Sequence, residues 1–282
     1  MDELMEELAL AGVEDIPKDL SCDWIHAPPK GNLYYGHNHV KIITMSFDTN
    51  QVNTASLIPT CNQHMYGGPK AHVLHFPVAK QKLLNIVAFV NDPTDWPLGQ
   101  PMSEPATKDE VAVVFSDWGP TVRSIIDLLT SELDKWAVFD AMDHPAPSYS
   151  RERICIAGDA AHASSPHHGA GAGIGIEDAL ALCELLDRVQ KDRIAHGRSD
   201  RWALLETAFS VFSDVGYGRS HWLVRSSREA CDIYEWIDPA CGQDMTKGHE
   251  EITRRSHKIW YFDVEGMLKE LEHGYARSLA RF

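Results

Sequence analysis

A chain of 282 residues, 44% of them hydrophobic, can bury the core of one large domain or two small ones. Its 26 basic and 41 acidic side chains leave a formal net charge of −15, which argues against nucleic acid or an anionic membrane as partner, because both select basic patches. Six cysteines without a Cys-x-x-Cys pair, an acidic N-terminus without a signal-peptide core and no run of about 18 apolar residues predict a soluble, intracellular, cytoplasmic chain with neither a zinc ribbon nor a membrane span.

Residues 2–11 place Leu4, Leu8 and Ala11 on one side and predict a short acidic helix limited by Pro17. Residues 41–47 and 53–57 are strand candidates, and 34–39 reads as a turn with aromatic edges. His37 and His39 would share a strand face, but no acid or cysteine lies near them in sequence, so they read as a surface or pocket-lining pair rather than metal ligands. Gly67-Gly68-Pro69 signals a turn. Residues 71–78 and 83–90 predict an antiparallel hairpin on which His72, His75 and Phe76 pack or face solvent. Residues 91–106, with four prolines, predict a surface loop anchored by Trp96. Residues 108–115 and 121–129 predict two helices parted at Gly119-Pro120; 136–139 is short and apolar, and 143–147 is a proline-rich break.

The stretch 153–186 organises the rest. Residues 154–157 form an apolar run of strand type ended by Gly158. Residues 159–173 are a loop of small residues with one proline and three histidines. Residues 174–186 predict a helix with Ile174, Ala181, Leu182 and Leu185 on one stripe. A strand whose end carries an aspartate, then bare backbone, then a helix N-terminus is a place to hold an anionic or polar cofactor. Beyond it, 202–215, 219–237 and 256–271 have helical patterns.

Gly158-Asp159-Ala160-Ala161-His162, then Pro166, then Gly169-Ala170-Gly171-Ala172-Gly173 and Glu177-Asp178-Ala179, resembles the second flavin-binding motif of the FAD-dependent aromatic hydroxylases, in particular the salicylate hydroxylase-like monooxygenases. Asp117-Trp118-Gly119-Pro120 and Trp136 extend the resemblance upstream. It implies an α+β / α/β chain carrying an incomplete hydroxylase fold: a partial antiparallel substrate sheet with helices over residues 1–150, and the flavin-binding strand–loop–helix with terminal helices over 151–282. It also implies that Pro77 ends the first hairpin strand near the flavin. The family's opening G-x-G-x-x-G turn, which holds the FAD pyrophosphate, is absent, since isoleucines stand at 174 and 176 among the alternating glycines. The chain is therefore expected to correspond to the C-terminal part of a full-length member.

The implied activity is hydroxylation of a phenolic, salicylate-like ring with oxygen, FAD and NAD(P)H through a flavin hydroperoxide; the alternative is an inactive fragment or non-catalytic remnant. Cofactor contacts are expected from Gly158, Asp159, Pro166, Gly169, Ala170, Gly171, Ala172, Gly173 and Ile174. Asp159 would accept from a hydroxyl of the cofactor, and the amides of 169–174 would meet its ring. His167 matches a position that presents a histidine to the aromatic substrate, where a neutral imidazole can take the phenol proton. His162 would close the motif through a backbone hydrogen bond. Glu177 and Asp178 would sit in the first helical turn as structural acids. Asp159, His162, His167 and His168 are also crowded enough for a metal hydrolase, but their spacing fits no helical ligand pattern and leaves the glycines without use, so no metal ligand is assigned.

Overall fold

The computed structural model describes residues 36–48, 61–94, 96–97, 99–195 and 201–280. All of them fall in one unit, Tyr35–Phe282. The helix predicted at 2–11 and the strand predicted at 53–57 lie outside the described residues. No helix among the described residues is long and apolar enough to cross a membrane.

Six strands form one antiparallel sheet: β1 Gly36–Asp48, β2 His64–Gly68, β3 Ala71–Val78, β4 Leu83–Asn91, β5 Ser103–Thr107 and β6 Glu132–Asp140, in the order β2-β3-β4-β1-β6-β5. The predicted hairpin is β3–β4. Its two-residue alternation separates the faces. Val73, Leu84, Ile86 and Ala88 point to one side, where they pack with Ile43 against α1 (Lys108–Val114) and α2 (Pro120–Asp127) through Val111, Phe115, Val122, Ile125 and Ile126. Thr107 caps α1 in a reciprocal box with Glu110, and Pro120 opens α2 at the position where its missing N–H is harmless. The other face carries His72 and Phe89, register partners across β3 and β4.

A small β7–β8 ribbon (Ser150–Arg151, Ile154–Cys155) leads into a one-turn helix α3 (Asp159–His162), a 3₁₀ turn (Pro166–His168) and the long α4 (Gly171–Ala195). Then come α5 (Arg201–Tyr234), α6 (Met245–Trp260) and α7 (Val264–Leu279). On α4, Ile174, Ala181, Leu185 and Val189 are buried, one face of a 3.6-residue period. Ala181, Leu185 and Val189 pack with Ala208, Phe212 and Leu271 of α5 and α7.

Several sequence expectations change. Residues 36–39, predicted as a turn, belong to β1, and the turn-like composition coincides with a register shift against β6 between His37 and Lys41. Gly67 and Gly68 end strand β2 rather than forming the turn, which falls on Pro69 and the positive-φ Lys70. A Cβ on Gly67 would stand 2.7 Å from the Tyr234 carbonyl oxygen, so the bare backbone lets β2 lie against the end of α5. Pro77 lies within β3 rather than ending it, beyond the reach of β2, which pairs only as far as His75. The proline-rich loop is anchored by Trp96, whose Nε1 donates to Pro101 O at 2.9 Å, yet it finishes in edge strand β5 with Pro105 inside it. α5 runs unbroken through Gly216 and Gly218, where two helices were predicted. The last helix, predicted over 256–271 as preceded or interrupted at Gly266, is divided earlier, between α6 and α7, because Asp263 caps a new helix, accepting from Gly266 N at 2.8 Å.

Candidate functional site

The loop after β8 is fastened by one carboxylate. Asp178 Oδ2 accepts from Gly158 N at 2.8 Å and lies 2.7 Å from His162 Nε2. Asp178 is buried on α4, so a single oxygen ties the strand end, α3 and α4 together. His162 thus closes the motif twice, through its backbone N, which donates to Gly158 O at 3.0 Å, and through its side chain. α4 begins at Gly171, earlier than the predicted start, which moves Glu177 and Asp178 into its second turn. Both remain structural: Glu177 takes a two-point contact from Arg219 Nε and Nη2 at 2.5 and 2.7 Å.

The expected cofactor residues line the outer side of this loop. Asp159, Pro166, Gly169, Ala172 and Gly173 are exposed, Gly158, Ala170 and Gly171 are half-buried, and Ile174 is buried. Gly158 (φ +58°) and Gly169 (φ +62°) adopt the left-handed conformation that favours glycine. A Cβ at Gly158, Gly169 or Gly173 would meet nothing within 4 Å, so these positions present open backbone. Two of the amides expected to meet the ligand are used internally: Gly169 N donates to Pro166 O at 2.8 Å and Ile174 N to Ala170 O at 3.1 Å. Those of Gly171, Ala172 and Gly173 head a 25-residue helix and have no acceptor within it. A bare backbone face at the positive end of a helix dipole fits the electron-rich edge of a flavin ring.

His167 turns the other way. It is buried, with Nδ1 3.0 Å from Ser165 Oγ and its ring 4.9 Å from Phe89 and 5.2 Å from His72. His72 stacks on Phe89 at 4.2 Å, and its Nδ1 lies 3.2 Å from Glu235 Oε1 of the segment just after α5. The Tyr234 ring stands 5.3 Å away. Cys231 on α5 is buried beside Phe89 and Val138. Burial, with His72 and His168 adding, holds His167 well below the ordinary imidazole range. Burial lowers His72 to about 3, and it raises Glu235 to about 7 against the opposing hydrogen bonds from Cys231 and Asn91.

The structure breaks up the four-residue metal grouping considered from sequence. Asp159 is exposed, His162 is committed to Asp178, and His168 Nε2 contacts Ser226 Oγ at 2.9 Å. What the fold brings to His167 instead is His72 and Cys231, with Glu235 behind His72. Sequence reasoning left His72 to pack or face solvent and singled out neither of the others. Cys231 and Glu235 stand four apart at the end of one helix, a same-face signal, but nothing local connects them with a strand 163 positions away.

A six-stranded antiparallel sheet beside a strand–glycine loop–helix unit defines the class as that of FAD-dependent hydroxylase folds. The family described as FAD binding domain matches residues 77–202. FAD-dependent monooxygenase orf3 of Aspergillus niger is 49% identical over 218 residues, which make up 77% of this chain and 49% of that protein. Salicylate hydroxylase asL1 of Sarocladium schorii is 47% identical over 227 residues, 76% of this chain and 46% of that protein. A solved salicylate hydroxylase substrate complex superposes with a TM-score of 0.75 at 31% identity, covering 86% of this chain and 58% of that one. CtdE in complex with FAD and a substrate shares the fold, with a TM-score of 0.66 at 14% identity over 87% of this chain and 58% of that one. The chain is similar to the FAD-dependent monooxygenases, salicylate hydroxylase-like proteins among them. It spans about half the length of these two sequence relatives.

Proposed function

We propose that this chain provides the substrate sheet and the second flavin-binding loop of an FAD-dependent, NAD(P)H-using monooxygenase that hydroxylates a phenolic, salicylate-like ring. When bound, FAD reduced by NAD(P)H supplies the oxygen-activating chemistry. The observation that carries the reading is the two-sidedness of one loop. Its glycines leave open backbone outward, while His167 from the same loop is buried against the aromatic wall of the sheet. Residues 1–150 then serve mainly the substrate, and 151–282 mainly the cofactor.

In this reading Gly171, Ala172 and Gly173 direct amides at the cofactor ring, and Gly158 and Gly169 keep side chains out of its way. Asp159, exposed at the start of α3, accepts from a cofactor hydroxyl. His167 receives the substrate. With Nδ1 held by Ser165, Nε2 is buried without a partner and can accept a phenol O–H. Burial keeps the imidazole neutral, so it accepts a hydrogen bond and gains basicity only as negative charge develops opposite it. Phe89 and His72 exclude water from that side.

The test is the visible spectrum of the purified chain after incubation with FAD and desalting, followed by NAD(P)H oxidation with phenols. Retained flavin bands support the reading, and His167→Ala should then lower phenol hydroxylation more than FAD binding. Equal loss of both refutes the role given to His167. The second reading, a non-catalytic remnant, predicts a colourless protein and no NAD(P)H oxidation.

A further inference from the structure

We propose that His72, His167 and Cys231 form a binding site for one soft divalent cation of the Zn²⁺ class. A donor atom from each residue lies within 4.8 Å of the other two, and all three side chains are buried. The three come from separate elements, β3, the 3₁₀ turn and α5, so the juxtaposition is made by the fold and not by a local motif.

The two histidines carry the argument. Each is oriented through Nδ1, His72 by Glu235 Oε1 at 3.2 Å and His167 by Ser165 Oγ at 3.0 Å. Each leaves its Nε2 buried with no partner. A carboxylate or hydroxyl on one ring nitrogen, with the other nitrogen bare, is how protein metal sites fix the tautomer and aim of a ligating imidazole. Buried polar atoms are usually paired in proteins; His64 and His75 also carry bare ring nitrogens, but those of His72 and His167, on rings 5.2 Å apart, converge with a buried thiol, and that combination calls for an occupant. The small gap between these rings excludes a third aromatic ring between them in this arrangement, whereas a single ion needs little room.

The donor set selects the ion. Two imidazoles and one sulfur suit Zn²⁺ and its borderline-soft neighbours and disfavour Mg²⁺ or Ca²⁺, which take oxygen. Metal–nitrogen and metal–sulfur bonds of roughly 2.0–2.3 Å place tetrahedral donors about 3.3–3.7 Å apart, so side-chain rotation must draw the widest pair together by roughly 1 Å. Cys231 ligates as thiolate: its S–H bond breaks, the sulfur lone pair forms the metal bond, and the proton leaves to solvent. Water takes the fourth position. The inference does not depend on the hydroxylase reading, although a metal on His167 would remove the acceptor that reading assigns to a phenol.

The experiment uses the full chain, stripped with a chelator, dialysed and free of FAD and phenols, titrated with Zn²⁺ by equilibrium dialysis and with Co²⁺ by absorption. One equivalent bound with a thiolate-to-Co²⁺ charge-transfer band is expected. Cys231→Ser should abolish the band, and His72→Gln and His167→Gln should each weaken Zn²⁺ binding about tenfold or more. Cys61→Ser and Cys183→Ser, at exposed thiols, should leave both readouts unchanged. Folding of each variant is checked by its urea midpoint. A parent chain that binds no Zn²⁺, shows no charge-transfer band, or keeps its band in Cys231→Ser overturns the proposal. Failure to retain FAD would instead count against the hydroxylase reading alone.

Discussion

Asp178→Ala removes the acceptor that joins the end of β8, α3 and α4. Oδ2 receives Gly158 N at 2.8 Å and His162 Nε2 at 2.7 Å, and His162 is itself buried. Hydrogen bonds to a charged acceptor contribute roughly 1.5–3 kcal/mol each, so the pair is worth about 3–6 kcal/mol, a large share of a domain's typical 5–15 kcal/mol. In urea, with a slope of roughly 2–3 kcal/mol per molar, the unfolding midpoint should fall by about 1–3 M. Asp178→Asn keeps an oxygen of similar reach without the charge and should lose about half as much. His162→Ala added to Asp178→Ala should lose far less than the sum of the single changes, because both remove the same contact. A midpoint for Asp178→Ala within about 0.3 M of the parent, at unchanged slope, would refute the claim that this carboxylate fastens the loop.

Arg228 on α5 donates through Nε to Asp140 Oδ2 at 2.9 Å, contacts Asp140 Oδ1 through Nη2, and reaches Asp143 at 2.8 Å. Arg228→Ala strands the fully buried Asp140 and should destabilise by about 3–5 kcal/mol, read by thermal melting, with only partial recovery in Arg228→Lys. Gly67→Ala should cost about 1–3 kcal/mol by pushing β2 off the end of α5, and should speed exchange of the Lys70 amide that donates to Glu235 O at 3.0 Å; an unchanged exchange rate contradicts it. Burial, with His64 adding, lowers His75 from 6.5 to about 4, while Tyr66 OH lies 3.1 Å from its Nε2 and the His64 ring 5.1 Å away. Between those pH values the unfolded chain binds more protons than the folded one, so this contribution is full above about pH 6.5 and is lost as pH falls towards 4. The urea midpoint of His75→Gln should therefore fall less between pH 7 and pH 4.5 than that of the parent; equal falls would show that His75 does not titrate in this way.

What the sequence alone determined is what local rules can carry. Alternation over 71–78 and 83–90 gives a hairpin because successive side chains of a strand must face opposite ways. Gly158 and Gly169 take positive φ because only glycine does so freely, which shapes the loop wherever it is placed. The ordered run from Gly158 to Ala179 was enough to indicate the FAD-dependent monooxygenases that the chain is similar to. Its one carboxylate anchor was legible as a structural acid, but not its partners. Helix extents were less legible. Glycines at 216 and 218 weaken a helix by about 1 kcal/mol each, a penalty that packing along the rest of α5 overrides. Strands β2 and β5 carry too few residues and too much glycine or proline to announce themselves, and exist because a neighbouring strand offers them hydrogen bonds. The meeting of His72, His167, Cys231 and Glu235 was decided by tertiary structure alone. Which face of β3 looks toward α5 depends on sheet register, and where Cys231 arrives depends on how far that helix travels before it ends. Neither quantity is written within reach of any of the four residues, so no local pattern could have placed two bare imidazole nitrogens beside a buried thiol.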